Sequence, residues 1–227
     1  MRYIIGIIVV VGLAWFLFMN QNNTPQSEQV QTADTAGVSE VYEIVFGTYT
    51  VDVTESTVRW AGQKPLVEGY INAGALALSG GDFTISEEAV NGSFAIDMNT
   101  LSVSETPKKP GKESALEEHL KGSRWFDVDT YPQATFTVTE SFAAPDASGV
   151  YEVTGDLTMK GETHAVTFPV RVTQLSDGVL RGEAQFAFDR TKWGITAGSG
   201  SFFDNLADNI VADMVQLQFS IIAQTAI

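Results

Sequence analysis

Residues 151–172 read YEVTGDLTMKGETHAVTFPVRV, and this stretch decides the fold class. Tyr151, Val153, Leu157 and Met159 are apolar at every second position, with Gly155 in the remaining slot. After Lys160-Gly161 the alternation resumes at Val166, Phe168, Val170 and Val172, with Thr and Arg on the other face. A period of two is the repeat of a strand that buries one face. Two such runs joined by a short glycine-containing link read as a β-hairpin. The runs are long, so the pattern predicts long, half-buried, antiparallel strands.

The same pattern recurs outward in both directions. Upstream it runs through Tyr49, Val51 and Val53, then Thr57 to Trp60, then Val90, Phe94, Ile96 and Met98, then Ala134, Phe136 and Val138. Downstream, after an Asp177-Gly178 turn, it runs through Ala184, Phe186 and Phe188 and finally Val215, Leu217, Phe219 and Ile221. Leu66 to Leu78 carries several Gly and Ala residues, as where a strand bends or backbones approach closely, and Gly80-Gly81 reads as a turn. One short helix is expected over Glu113 to Gly122, with Ser114 as N-cap, Glu117 three residues on and Gly122 as the stop. Ser201 to Asp208 has room for one more helical turn. About eight strands and one helix make an all-β chain that closes as a barrel or folds as a sandwich. An eight-stranded barrel either fills its interior with side chains or encloses one ligand.

The N-terminus reads differently. Tyr3 to Met19 is apolar without a charge, following Arg2. At ~1.5 Å per residue it reaches about 25 Å, within the range of a segment that crosses a ~30 Å hydrocarbon core. The following NQNNTPQSE offers no small-x-small cleavage pattern, which favours a signal anchor over a cleaved signal peptide. The next Arg or Lys after Arg2 is Arg59, so the positive-inside rule puts the body on the exported, periplasmic side of an inner membrane. The expected organisation is a transmembrane helix over residues 1–20, a polar linker over 21–46 and a β-domain over 47–224. Asn20 to about Glu40 lacks the apolar residues needed to fold, and as a tether of about twenty residues it spans roughly 25 Å.

Thirteen Lys and Arg stand against 28 Asp and Glu, for a formal net charge of −15, which excludes nucleic acid as a partner. Partners are then neutral or apolar, or touch one local basic patch. The absence of cysteine excludes disulfides, thiolate metal sites and a Cys nucleophile.

Four stretches, in this order, resemble the YceI-like family of polyisoprenoid-binding proteins: YTVDVTESTVRW (49–60), EHLKGSRWFDVDTYPQATF (118–136), YEVTGDLTMKGETHAVTFPV (151–170) and FDRTKWGI (188–195). The resemblance implies an extended, lipocalin-like antiparallel barrel whose apolar interior holds the tail of an isoprenoid lipid, of quinone or polyprenyl type. Binding without catalysis, and with no cofactor beyond that lipid, is the reading preferred; a ligand-free accessory domain of a membrane complex and an enzyme acting on an isoprenoid lipid are the alternatives. Members are usually exported with a cleaved signal, so an anchor is a departure. A homodimer remains compatible with the pattern.

The inward-facing candidates for a tail lining are Phe94, Ile96, Met98, Phe136, Val138, Leu157, Val166, Phe168, Phe186, Phe188, Trp193, Leu217 and Phe219. The basic cluster PKKPGK, with Lys108, Lys109 and Lys112, is a candidate mouth loop for an anionic headgroup, its rival reading being a solvated loop. Arg190 either meets a polar head or makes a structural ion pair. Trp125, Phe126 and Tyr131 are expected to close one barrel end. His119 has acidic neighbours but no second His at ligand spacing, and His164 falls on the face of Val166. Asp52, Asp97, Asp189 and Asp204 form no acid/base pair in sequence, and no nucleophile elbow, phosphate loop or dinucleotide fingerprint is present. No catalytic residue and no metal ligand is therefore assigned.

Overall fold

The computed structural model describes residues 43–145, 148–204 and 206–226. Nine strands are present: β1 (Gly47–Val51), β2 (Thr57–Gln63), β3 (Ile71–Ile85), β4 (Val90–Glu105), β5 (Gln133–Ala143), β6 (Val150–Met159), β7 (Glu162–Ser176), β8 (Val179–Asp189) and β9 (Met214–Thr225). One α-helix, α1 (Glu113–Lys121), lies between β4 and β5, and 3₁₀ turns cover Arg190–Trp193 and Ala207–Asn209.

Each strand from β2 to β9 pairs antiparallel with the next, and β9 pairs back with β2, so the sheet is closed. β1 is not a ninth stave. β2 pairs with β3 over 71–76 and with β9 over 216–220, while β1 pairs with the same two strands at 82–85 and 223–225. β1 and β2 are thus two pieces of one stave, broken at 52–56. This gives eight staves, as the alternation suggests. The closure is uneven: β7 pairs with β8 only over 171–176, and β4 with β5 only over 93–97.

The deciding hairpin forms as expected, with Met159 opposite Glu162. Lys160 and Gly161 both take positive φ, 51° and 80°, which is the two-residue turn whose twist matches its flanking strands. β4 runs for 16 residues, roughly 50 Å of strand, so the barrel is tall.

Three expectations are corrected. Gly80-Gly81 is not a turn but lies within β3, beside a register shift between Leu78 and Gly80. A Cβ at Gly81 would stand 2.6 Å from the Ser93 carbonyl oxygen, so glycine there admits the close passage of β4. The chain reverses later, where Ser86 and Ala89 bond each other. Ser114 does not cap α1: the helix begins at Glu113, and its carboxylate instead reaches back to Thr106 Oγ1 and Gly111 N. Glu117 pairs with Lys121 at 3.0 Å, while Gly122 ends the helix as expected. The turn sought over Ser201 to Asp208 reduces to the 3₁₀ turn at Ala207–Asn209, and the one at Arg190–Trp193, capped by Asp189 through Thr191 N, carries no strong sequence signal.

Residues just before β1 are tied to the barrel. Val45 N donates to Gln174 Oε1 at 2.9 Å, Tyr49 Oη donates to Val45 O at 2.6 Å, and Ile44 packs on the core. The expected membrane segment and most of the linker lie outside the described residues. Among the described residues no helix is long and apolar enough to cross a membrane.

Candidate ligand cavity

Antiparallel parity places the connections β2–β3, β4–β5, β6–β7 and β8–β9 at one end of the barrel. Under them is a cavity of about 410 Å³. Its walls are apolar, including Leu76, Ile96, Met98, Leu157, Phe188 and Leu217, and α1 adds Leu116 and the loop after it Trp125 and Phe126. Trp125 and Phe126 thus close this end and line it too, whereas Tyr131 packs beside the hairpin turn at Gly161.

The polar lining gathers in the loops and strand ends at the rim. It includes Gln63, Lys64, Tyr70, Asn72, Lys109, His119, Arg124 and Asn209, with Arg190 deeper. Lys64 donates to Asn209 Oδ1 at 3.2 Å and sits 5.1 Å over the Tyr70 ring. Burial, and then the like charge of Lys109, lower the Lys64 ammonium from its ordinary pKa, partly offset by Asp208. Lys64 and Lys109 thus repel each other at the rim, which Arg124 also faces. Asn72 Oδ1 is buried and has no hydrogen-bond partner.

Arg190 is only 2% exposed. Its guanidinium donates to the backbone carbonyls of Ile195 (2.5 Å), Val211 (3.1 Å) and Ala212 (3.0 Å). Asp213 stands 3.6 Å away and the Trp125 ring 5.1 Å away. Burial lowers its pKa, and Asp213 and Asp189 work against that. With its donors so committed, Arg190 is a clamp on the 195–213 loop; of the two readings the sequence offers, the structural one matches the geometry.

A second, smaller cavity of about 60 Å³ lies toward the other end. Phe94, Phe136, Val138, Phe168 and Phe219 line it, whereas Ile96, Met98, Leu157, Phe188, Leu217, Lys109 and Arg190 line the large one. Val166, Phe186, Trp193 and Lys108 line neither. Val166 and Phe186 are half-buried against the core, and Trp193 is buried, donating to Leu157 O at 2.9 Å. Lys108 turns instead toward Gly69.

The rim residues Lys64, Tyr70, Asn72 and Arg124 escape a reading by local clusters. Strand parity is the available signal, because Lys64 in the β2–β3 connection lies at the same barrel end as PKKPGK in the β4–β5 connection.

Catalytic groups do not converge here. His119 is exposed with its ring 5.8 Å from Trp125, and His164 points inward against Trp193 at 5.0 Å with Nε2 buried and unpartnered. Asp52 and Asp189 cap local turns and Asp97 holds Asn99. Among the described residues no group of three His, Cys, Asp or Glu is placed to hold a metal ion.

A closed antiparallel barrel with an apolar cavity beneath a polar rim defines the class: a small barrel with internal room for one ligand. Within that class the chain belongs to the YceI-like domain family, whose model matches residues 49–223. Among solved structures it is similar to BcnA of Burkholderia cenocepacia, with 27% identity, TM-score 0.54, and 77% of this chain and 99% of that chain covered. It also shares its fold with a polyisoprenoid-binding domain from Saccharophagus degradans implicated in plant cell wall breakdown, at 18% identity and TM-score 0.58, covering 80% of this chain and 100% of that one. No curated protein matches it.

Proposed function

We propose that the barrel binds a long-chain isoprenoid lipid of quinone or polyprenyl type and stores, shields or presents it, without covalent chemistry. The observation that carries this reading is the 410 Å³ cavity, apolar within and polar in its loops. Its volume falls in the usual ~300–1,000 Å³ range of small-ligand sites. The polyisoprenoid-binding neighbour supports the same ligand class.

Burial at about 25 cal/mol per Å² attracts any such tail out of water, but a membrane is as apolar as the cavity. Specificity therefore falls to cavity shape and to the head. An anionic or carbonyl-bearing head at the rim would relieve the repulsion between Lys64 and Lys109. The apolar run at Tyr3 to Met19 supports a body held at the exported face of a membrane, where such lipids reside.

The test is native mass spectrometry, with organic extraction, of the full chain purified from its own membranes. A stoichiometric isoprenoid is expected. A ligand-free mass, with no uptake of added quinone or polyprenol, would replace this reading with a ligand-free accessory domain of a membrane complex.

A further inference from the structure

Large apolar side chains project into solvent at both ends of the barrel. At the cavity end stand Leu66 in the β2–β3 connection, 61% exposed, and Phe202 and Phe203 in the β8–β9 connection, 57% and 47% exposed. At the opposite end Phe46 precedes β1 and Phe142 closes β5, 49% and 53% exposed. Apolar exposure therefore does not distinguish the two ends. Charge does. The opposite end's connections at 86–89, 144–149 and 177–178 contain no Lys or Arg, and they carry acids, among them Glu87, Glu88 and Asp177. The cavity-end connections carry most of the chain's thirteen Lys and Arg.

Acids stand at the cavity end too, but several are engaged within the protein. Glu113 holds Thr106 and Gly111, Glu117 pairs with Lys121, and Asp213 faces Arg190 and Ser201. Around Leu66 the local balance is positive, with Lys64, Lys108, Lys109 and Lys112 against Glu68 and Asp208. These groups belong to loops that touch. A Cβ at Gly69 would stand 3.4 Å from Lys108 Cε, and the charge of Lys109 is felt at Lys64. On the other side Ala212 N donates to Gln63 O at 2.9 Å and Lys64 reaches Asn209, so the loop carrying Phe202 and Phe203 borders Lys64. Leu66 is held outward by its own loop, where Lys64 N donates to Tyr70 O and Val67 N to Lys64 O. Lys108, Lys109 and Lys112 are exposed beside it.

We propose that the cavity end docks on an anionic lipid bilayer. Leu66, Phe202 and Phe203 enter the headgroup region, and Lys64, Lys108, Lys109 and Lys112 meet lipid phosphates. Apolar side chains flanked by cations are the pairing by which proteins bind an anionic membrane surface. The apolar groups project singly from separate loops, which suits a fluid surface that yields to each of them; a folded protein would need a matching pit for every one. The formal charge of −15 repels an anionic surface from the rest of the barrel, so the docking is oriented. The cavity mouth then opens onto the bilayer. The docking itself does not depend on what the cavity holds.

The chain has no cysteine, so single-cysteine variants of the full-length protein place an environment-sensitive fluorophore at one chosen point. Leu66→Cys reports the cavity end and Phe142→Cys the opposite end. Each labelled protein is reconstituted with vesicles of brominated phosphatidylcholine, with or without phosphatidylglycerol. An apolar N-terminal segment enters both kinds of vesicle alike, so the difference between them reports the barrel. With phosphatidylglycerol the Leu66 label is expected to be quenched several-fold more strongly than the Phe142 label, and without it the two are expected to match. A lysine near an anionic surface is worth on the order of fivefold in binding, so Lys108→Gln, Lys109→Gln and Lys112→Gln together should weaken docking by roughly a hundredfold. That variant, and high salt on the wild type, should return the Leu66 label to its phosphatidylcholine level. Equal quenching of the two labels, or quenching of neither, overturns the docking. Quenching at Leu66 that survives both the triple substitution and high salt overturns it as well, because charge then plays no part. A blue shift of the Leu66 label without vesicles, growing with protein concentration, would assign this end to a second copy of the chain instead. Isoprenoid uptake is not read, so loss of the docking leaves the lipid-binding reading standing, and loss of that reading leaves the docking.

Discussion

Ser56 is hydrogen-bonded to both backbone groups of Ile222: its hydroxyl accepts from Ile222 N at 2.9 Å and donates to Ile222 O at 3.2 Å. One side chain thereby fills the place of the backbone ladder where the stave is broken between β1 and β2. Ser56→Ala takes the hydroxyl partner from Ile222 N, while Ile222 O keeps the Asp52 N–H at 2.8 Å, at a cost of about 1–3 kcal/mol. Urea denaturation should show that loss with an unchanged slope, and an unaltered midpoint would mean that water replaces the hydroxyl.

Arg190→Lys is expected to destabilise the protein by roughly 3 kcal/mol or more, because one ammonium cannot serve three carbonyls held in a fork. Hydrogen exchange should rise first in 195–213, whose carbonyls at Ile195, Val211 and Ala212 are released. Loss of lipid binding at full stability would instead make Arg190 a ligand contact.

The loop carrying Lys108 and Lys109 is pinned by Glu113. Thr106 Oγ1 and then the local backbone donors hold the Glu113 carboxyl below its ordinary pKa. A depressed carboxylate contributes its hold above the unfolded-state pKa and loses it as the pH falls through the lower, folded value. The 106–112 loop should therefore loosen as the pH drops below the usual glutamate range. Limited proteolysis between pH 6 and pH 3 reads this, and Glu113→Gln should already be cut at pH 6 with a flatter profile.

Lys64→Gln combined with Lys109→Gln removes the paired cations of the rim. Farnesyl pyrophosphate should outcompete farnesol on the wild type by about tenfold at low salt, and the advantage should vanish in the double variant and shrink in high salt. Equal binding of the two probes to the wild type would exclude an anionic head.

Much of the barrel is legible because a period of two records which face a residue uses. It does not record height. Phe94 and Ile96 look equivalent in sequence, yet they line different compartments, and their separation follows only once the register sets Phe94 opposite Phe136. Gly80-Gly81 is misread as a turn for a related reason: a missing Cβ serves a crossing backbone as well as a reversal. Lys64 stands apart from PKKPGK in sequence and meets it only through strand parity. Gly155 fills an apolar slot in the alternation as if a side chain were merely missing, yet a Cβ there would stand 2.3 Å from Phe136 Cζ, a neighbour on another strand.

The seam of the barrel joins its first stave to its last. β9 is clasped between β8 on one side and the two-piece stave of β1 and β2 on the other. Residues 47–63 thus cannot complete their pairing until 214–225 are available. Folding must wait for this most distant of contacts, whose loop-closure cost makes it a slow step. A chain stopped short of Met214 would expose strand edges on both β2 and β8, each a template for pairing with another copy.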